Sequence, residues 1–358
     1  MSVSEVDVRD ERVPGCHRSG GPGRGSALPA AVRVARWPVL VVVGYLVPVL
    51  LGGSDRIYAT VVLIAIFAIM SYGIDVVLSY LGEVSLGHTL FWAGGAYATA
   101  VMAVKFGWGP LLSLVAAIAG VTVLAVVLGL ATIRTREFVF SLVTYAAAVI
   151  GLTVVSNNAF LGGTDGLVGV PLLALPAVGG EYVARTNAEM WPIAFVLLVL
   201  VIAVIARFRR SRLGVTALMT QMNPDLATTL GVDVRRIRVL VFVLSAPIAG
   251  LAGWLYAYQR SYVSPDLLSA HFLLFMLAAV ILPGRRLLLG PLVGAAILTT
   301  QQELFSFGGD ADKIILGGVL AAILLLSPNG LVGIRHAIVR RRGGRSARQA
   351  SAAEPEAA

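Results

Sequence analysis

Long apolar stretches recur along most of this 358-residue chain and leave it few ways to fold. Only 13% of its residues are charged, 58% are hydrophobic and its mean hydropathy is +0.86. A soluble domain carries about 25% charged residues, and a membrane-spanning helix needs about 20 consecutive apolar residues. Ten stretches meet or approach that length, at residues 38–53, 57–80, 85–104, 110–133, 138–156, 190–206, 239–259, 268–283, 287–304 and 314–332. The sequence therefore predicts an all-α, polytopic transmembrane helix bundle of about ten spans.

The eighth and ninth stretches leave an alternative open. Both are short and they meet at Pro283-Gly284, so residues 268–304 form either two full spans or a re-entrant hairpin.

The positive charges predict how the bundle is oriented. With the N-terminus in the cytoplasm, the loops on that side carry 23 of the 28 Lys and Arg residues, and the outer loops carry five. Since cytoplasmic loops of membrane proteins are enriched in Lys and Arg, we expect both termini in the cytoplasm of a multi-pass protein of the cell membrane. This distribution explains the net charge of +9 without nucleic acid, and the run 340–342 fits contact with lipid headgroups.

Composition divides the chain into three regions. Residues 1–36 are rich in Gly, Ser and Arg and are predicted to be a disordered, basic cytoplasmic tail. Residues 37–334 form the transmembrane domain, with a long external loop at 157–189 and a long cytoplasmic loop at 207–238. Residues 335–358 form a second disordered cytoplasmic tail. The single cysteine, Cys16, excludes an intramolecular disulfide.

The cytoplasmic loop carries the signals of a short helix. Asn223 is suited to cap its N-terminus, Pro224 to its first position and Asp225 to its first turn. Gly231 is suited to end it. We therefore expect a helix of about two turns between two spans.

Glycine and polar residues concentrate where the second and third spans meet. Ionisable groups at membrane depth are functional candidates, and interrupted apolar spans are typical of transport pathways. The candidates for the pathway or its gate are Gly82, Ser85, Gly87, His88, Gly94, Gly95 and, in the fifth span, Thr144.

Structural interpretations of the same residues stay open. Asp75 and Glu83 lie near a predicted cytoplasmic end, where water or arginine partners could reach them. His88 fits a neutral, buried histidine hydrogen-bonded to a neighbouring carbonyl. The glycines fit close packing between helices.

Enzymatic chemistry has little support in this sequence. It contains no Walker A, H-E-x-x-H or G-x-S-x-G motif, and its four histidines are scattered. We expect no catalytic residues, no metal site, no cofactor and no enzyme activity. An ion-coupled carrier is the alternative from a different class, but it needs intramembrane carboxylates, and the deep spans have almost none.

Six segments, in the same order, resemble the permeases of branched-chain amino acid ABC transporters. The first, at residues 82–97, is similar to the pattern G-x-x-S-L-G-H-x-x-F followed by G-A-Y. The second is similar to the external G-G-T-N-G-L-x-G-[IV]-P loop and contains Gly163, Thr164 and Asp165. The resemblance covers about residues 57–334, with the segments at 82–97, 162–171, 211–214 with 223–236, 242–253, 262–266, and 290–295 with 327–333.

This resemblance implies an assembly. A second homologous permease subunit would share the translocation path, two ABC ATPase subunits would bind ATP, and an extracytoplasmic substrate-binding protein would deliver substrate. Alternating access driven by the ATPases would move branched-chain or other hydrophobic amino acids, with urea or short amides as the alternative substrates. The loop helix would be the coupling helix that docks into an ATPase, through Asn223, Pro224, Asp225, Ala227, Leu230 and Gly231. Gly163, Thr164 and Asp165 would join the pathway or gating candidates.

The chain departs from the family pattern in three places. Pro283-Gly284-Arg285-Arg286 stands where a glycine-rich G-G-x-G turn is usual, so we expect the local turn to differ. Val149 and Leu152 stand where the fifth span usually carries a charged pair. Asp165 replaces an asparagine.

Overall fold

The structure is a computed structural model that describes residues 30–133, 135, 137–177, 180–304 and 318. The chain divides at Gly44 into two units, and the bundle lies in the second, Tyr45–Ala358. In the described residues the helices are α1 Ala30–Leu50, α2 Asp55–Tyr80, α3 His88–Phe106, α4 Pro110–Ala131, α5 Glu137–Asn157, α6 Asn187–Arg210, α7 Arg212–Met222, α8 Pro224–Thr229, α9 Val234–Arg260, α10 Ala270–Ile281 and α11 Gly290–Leu304. The strands are β1 Leu167–Val168, β2 Leu173–Ala177, β3 Gly180–Ala184 and β4 Tyr262–Val263.

Among the described residues, nine of the ten predicted spans contain a helix. By length and composition, five helices of the described part are able to cross a membrane: α2, α4, α5, α6 and α9. The predicted polytopic helical bundle is therefore present, while the number of ten spans and the side of each terminus stay predictions. The tenth span lies outside the described residues except for Gly318, as do residues 1–29 and 335–358.

Two boundaries differ from expectation. Helix α1 begins at Ala30, so residues 30–36, which were assigned to the tail, are helical. Helix α3 begins at His88 rather than at residue 85, because side chains of α5 bond to the backbone of Val84 and Leu86 in place of helical partners.

Helix α2 lies at the centre of the bundle. In its most apolar stretch of 18 residues, 94% is buried, whereas only 22% of the corresponding stretches of α4 and α5 is buried. Contacts to α2 come from α6, α9, α10 and α11, and α3 and α4 pack against α9 and against each other. Helices α4 and α5 therefore leave most of their apolar surface for lipid or for another protein.

Small residues bring α9 against both α2 and α3. A Cβ placed on Gly95 of α3 would lie 2.3 Å from the carbonyl oxygen of Gly250, and one placed on Gly253 would lie 2.1 Å from that of Trp92. Gly73 of α2 faces Ala249 in the same way, at 3.1 Å. Such contacts let helix backbones approach closely, which is the usual basis of helix association in membranes.

The two ends of the bundle differ in charge. In the described part of the Tyr45–Ala358 unit, one end carries Arg207, Arg209, Arg210, Arg212, Arg235, Arg236, Arg238, Arg285 and Arg286. We call this the Arg-rich end; it contains the end of α2, as shown by the ring contact between Tyr80 and Phe208. The opposite end, called the far end, contains the start of α2, where Asp55 accepts a hydrogen bond from Asn187. The far end carries Arg56, Lys105, Arg185 and Arg260.

The region left open in the sequence, residues 268–304, forms an antiparallel hairpin of two short helices. Gln302 of α11 lies 3.4 Å from His271 of α10, so the described ends of the two helices lie together. Helix α10 has 12 residues and is therefore about 18 Å long, shorter than the roughly 30 Å hydrocarbon core. The turn between the helices lies at the Arg-rich end.

Two small sheets at the far end were not predicted by the all-α assignment. Strands β2 and β3 form a hairpin within the predicted external loop, with Leu173 opposite Ala184. Strand β1 pairs antiparallel with β4, with Leu167 opposite Val263. These pairings provide partners for backbone N–H and C=O groups of connecting segments.

The contact between α3 and α9 gives the first testable prediction. Replacing Gly253 with Ala should lower the stability of the protein by about 1–3 kcal/mol, because the new methyl group meets the backbone of Trp92 rather than a movable side chain. Thermal unfolding in detergent measures the change. The control is Gly120→Ala on α4, where a Cβ meets nothing within 4 Å; equal losses in both variants would contradict the prediction.

Candidate functional site

Residues 81–87, which we call the α2–α3 connection, are not helical although they join two helices inside the bundle. Helix α5 holds them in place. The backbone N–H of Leu86 donates a 3.2 Å hydrogen bond to Thr144 Oγ1, and Ser141 Oγ donates a 2.6 Å bond to the carbonyl of Val84. The connection is thus an irregular segment in which side chains of a neighbouring helix bond to the backbone of Val84 and Leu86.

Two glycines are required by the close packing around the connection. A Cβ on Gly87 would lie 2.5 Å from the carbonyl oxygen of Thr144. Gly82 has a φ of 73°, a conformation that favours glycine, and its Cβ would lie 2.9 Å from Nε2 of Gln221 on α7. The structure therefore brings Gly82, Gly87 and Thr144 together, as parts of one packed region.

His88, the first residue of α3, is fully buried between α2 and α9. Its Nε2 lies 3.0 Å from the hydroxyl of Ser245, and the backbone of Gly73 is a second polar group at the ring. Phe91 and Phe242 pack edge-on against it, with centroid distances of 5.4 and 5.9 Å. This enclosure favours the interpretation of His88 as a buried packing residue over a direct substrate contact. Ser85, just before it, is also fully buried.

The two acidic residues near this region, Glu83 and Asp75, differ in their surroundings. Glu83 forms an ion pair with Arg238 of α9, and both side chains are only about a tenth exposed, at 11% and 12%. Arginine anchoring of Glu83 at the bundle end is therefore confirmed. Asp75 is instead buried within α2, where its Oδ1 accepts a 2.6 Å hydrogen bond from Ser79. Arg209 and Arg285 are its electrostatic neighbours, so arginines act on it although water does not reach it.

Arg286 in the α10–α11 turn is a residue that the sequence did not single out for a role. Its φ is 66°, the left-handed conformation that glycine adopts without strain and that costs another residue about 1–2 kcal/mol. The glycine usual at this position has been replaced, but the backbone still adopts a glycine-like conformation. The signal available in the sequence was an arginine at a position where glycine is usual.

Hydrogen bonds hold Arg286 to three helices. Its backbone N–H donates to Ser79 Oγ at 3.2 Å, and its Nε donates to the carbonyl of Ser79 at 3.3 Å. Its Nη2 donates to Oε1 of Gln221 at 2.7 Å. Its carbonyl accepts a 2.6 Å bond from Arg209 of α6. The turn is thereby attached to the ends of α2, α6 and α7.

The predicted loop helix is present at the Arg-rich end as α8. Asn223 caps it, accepting a 2.9 Å hydrogen bond from the N–H of Leu226, Pro224 is its first residue and Asp225 lies in its first turn. Gly231 follows with a φ of 80°, and Leu230 is the C-cap. The capping pattern is therefore confirmed, although the helix is preceded by a second helix, α7, that was not predicted.

Helices α7 and α8 expose apolar side chains. Ala227 faces inwards and is buried, whereas Leu226, Leu230 and Met222 are 57%, 68% and 75% exposed. Because these residues lie in a polar segment outside the apolar helices, they form an uncovered apolar surface next to many arginines. We call this the α8 surface.

The remaining candidates lie elsewhere. Gly163, Thr164 and Asp165 form a 3-10 turn at the far end, where the carbonyl of Asp165 accepts a 2.9 Å bond from the hydroxyl of Tyr262. Gly94 and Gly95 lie on α3, Gly94 towards Val121 of α4 and Gly95 against Gly250. The structure therefore does not unite the candidates in one site: it separates the α2–α3 connection, the α8 surface and the far-end turn.

These features define a multi-pass helical membrane protein with a short capped helix projecting from its Arg-rich end. Residues 56–326 match the family model described as the permease component of the branched-chain amino acid transport system. The chain belongs to this family of transport permeases, as the resemblance in the sequence indicated. This is not an enzyme family.

Proteins of similar sequence are also named as permeases of branched-chain amino acid transport. The high-affinity branched-chain amino acid transport system permease protein LivM of Escherichia coli K12 is 28% identical over 295 residues, which cover 75% of this chain and 68% of that protein. LivM of Salmonella typhimurium LT2 is 27% identical over 78% of this chain and 71% of the relative. The permease protein LivH of E. coli K12 is 23% identical over 78% of this chain and 95% of the relative. No solved structure matches the chain significantly.

The α2–α3 connection gives the second prediction. Replacing Thr144 with Val removes the acceptor of the Leu86 N–H with little change in shape, and should cost about 1–3 kcal/mol because a backbone donor is left without its partner. Hydrogen exchange of a peptide spanning residues 81–87, followed by mass spectrometry, should become faster. In the control, Thr153→Val, the lost hydroxyl bonds only to its own exposed helix. Unchanged exchange in Thr144→Val would show that α5 does not hold the connection.

Proposed function

We propose that this chain is an integral-membrane permease subunit of an ABC importer and that α8 is the element on which separate ATPase subunits act. The observation that carries the proposal is the α8 surface: a short, doubly capped helix with exposed Leu226 and Leu230 at the Arg-rich end of a transport permease. An exposed apolar patch of this kind marks a site of protein interaction. The positive charges support a cytoplasmic position for this end, where ATP is available.

The connection of α8 to the bundle supports a mechanical role. Helix α9 begins at Val234, three residues after Gly231, and Asp233 caps it by accepting a 3.1 Å hydrogen bond from the N–H of Arg236. Because α9 packs against α2 and α3, a displacement of α8 is passed to the centre of the bundle as a rigid-body movement. The pathway then alternates between its two sides without covalent chemistry in this chain.

The partners follow from the family. The relatives carry the names of two permease proteins, LivM and LivH, so we propose that a second homologous permease subunit shares the path. The largely uncovered apolar faces of α4 and α5 suit contact with that subunit or with lipid. Two ATPase subunits and an extracytoplasmic substrate-binding protein complete the proposed assembly. ATP is bound by the ATPases, and this chain needs no cofactor or metal.

Branched-chain or other hydrophobic amino acids are the proposed substrates, because the named relatives are permeases of branched-chain amino acid transport. Urea or short amides are the alternative substrates. One observation favours a second function, that of an ion-coupled carrier: Asp75 is a buried carboxylate within α2. However, Asp75 is hydrogen-bonded to Ser79 and has Arg209 and Arg285 as electrostatic neighbours, which supports a structural role.

The third prediction tests the function. The chain, its permease partner, the ATPases and the binding protein are reconstituted in vesicles, and uptake of labelled leucine and of labelled urea is measured with and without ATP. We expect uptake that needs ATP and survives collapse of the ion gradients. Leu230→Asp should reduce ATPase binding and uptake at least about tenfold, because a carboxylate in an apolar contact is desolvated without a partner. Leu172→Asp, an exposed apolar position at the far end, is the control.

Two results would contradict the proposal. Uptake by the purified chain alone would remove the need for the ATPases. Uptake that follows an ion gradient without ATP, and that is lost in Asp75→Asn, would support the carrier.

The fourth prediction concerns orientation. In a Cys16→Ser background, Thr228→Cys on α8 and Thr164→Cys in the far-end turn place single thiols at two exposed positions. A membrane-impermeant maleimide added to intact cells should label the cysteine at 164 and not the one at 228, and both should react after the cells are opened. The reverse pattern would place α8 outside, where it could not meet cytoplasmic ATPases.

A further inference from the structure

We propose that Arg286 is a positioning residue that transmits movement of α7 and α8 to α2 and to the α10–α11 hairpin. The inference rests on the proposed function, in which α8 receives the movement of an ATPase. It assigns a second route into the bundle, distinct from the direct continuation of α8 into α9.

The route begins at Gln221. This residue lies one position before the end of α7 and two before Asn223, the cap of α8, so α8 cannot move far without displacing it. Its Oε1 accepts the 2.7 Å hydrogen bond from Arg286 Nη2. Its side chain also lies over Gly82 of the α2–α3 connection, where a Cβ would come within 2.9 Å of Nε2.

The route continues into α2 through Ser79. Arg286 donates to the hydroxyl and to the carbonyl of this residue, from its backbone N–H and from Nε. The hydroxyl of Ser79 in turn donates to buried Asp75. Ser79 therefore links the exposed turn to the interior of the most deeply buried helix of the described part, and the arginine side chain joins α7 to that helix.

The backbone conformation of Arg286 indicates that the turn itself does not need an arginine, so the arginine side chain must serve another purpose. A φ of 66° suits glycine, so glycine would form the same turn without strain. Arginine adds to the turn the bonds from Nε and Nη2, whose fixed fork reaches α2 and α7 at once. We infer that these two bonds compensate the strain and make the α10–α11 hairpin follow α7.

Arg286→Gly tests this inference, because it removes the side chain and keeps the turn. Using the reconstituted complex, thermal unfolding, the ATPase rate and substrate imported per ATP hydrolysed are measured together. We expect the variant to assemble and unfold like the wild type, to hydrolyse ATP, and to import about 3- to 10-fold less substrate per ATP, in the range of coupling changes caused by single residues. A purely structural role would alter the amount of complex but not this ratio.

Two further variants make the test specific. Gln221→Ala should lower the ratio by a similar factor, and the double variant should be no worse than either single one, because both break the same contact. Arg286→Lys keeps the positive charge but lacks the guanidinium fork. Its ratio of substrate imported per ATP should therefore be as low as that of Arg286→Gly. Arg285→Ala removes one positive charge from the same turn and should leave the ratio unchanged.

The outcomes separate this inference from the proposed function. If the wild-type complex imports nothing in an ATP-dependent way, the proposed function fails and this inference with it. If the wild type imports substrate and Arg286→Gly keeps its ratio, only the inference is overturned. Additive losses in the double variant would also overturn it, since Arg286 and Gln221 would then act independently. An equal loss in Arg285→Ala would overturn it too, since the effect would then come from charge rather than from the contact between Arg286 and Gln221.

Discussion

The close backbone contact of α9 with α2 and α3 determines much of what this bundle can do. A side chain at Gly95 of α3 would meet Gly250 of α9, and one at Gly253 of α9 would meet Trp92 of α3. Ala249 of α9 lies on Gly73 of α2. In a membrane, where apolar surface alone gives little drive for helices to associate, such close contacts supply the packing energy. The three helices therefore form one closely packed group, to which α8 is joined through α9.

This packing also explains why the segment between α2 and α3 is not helical. With His88 fixed between Phe91 and Phe242, and α2 ending at Tyr80, residues 81–87 must cover the distance between two fixed points. An unpaired backbone is costly inside a bundle, and Ser141 and Thr144 of α5 supply the missing partners. The result is a part of the backbone that depends on a neighbouring helix, and such a segment can change its path when that helix shifts.

The sequence predicted the features that depend on local chemistry. Apolar length located nine helices, and the order Asn223, Pro224, Asp225 with Gly231 located α8, because capping involves residues within one turn of each other. Helix α7 was missed because its 11 residues are too few to form an apolar span and polar residues interrupt their apolar ones. Strand β4 was missed because its two residues pair with β1, almost a hundred positions earlier.

The candidate site was harder to predict, since its contacts join distant segments. Glycines at 82–95 were recognised, but not that Thr144 would hold Leu86 or that Gln221 would cover Gly82. The burial of Asp75 was not predicted, because hydropathy locates a residue along the helix and not in the depth of the bundle. Arg286 was noticed as a departure from a glycine-rich turn, yet its partners became visible only once α2 and α7 were placed beside it.

The far end of α9 is held by backbone hydrogen bonds, whereas its Arg-rich end is held by the side-chain ion pair between Arg238 and Glu83. Strand β4 pairs with β1, Ser261 accepts hydrogen bonds from the N–H groups of Gly169 and Val170, and Tyr262 bonds to Asp165. With 27 residues, α9 is about 40 Å long. A tilt of about 5° around this pinned end would move the first turn of α9 by roughly 3.5 Å while leaving the outer loops almost still. The helix would then work as a hinged arm that turns a small rotation into a displacement on one side only.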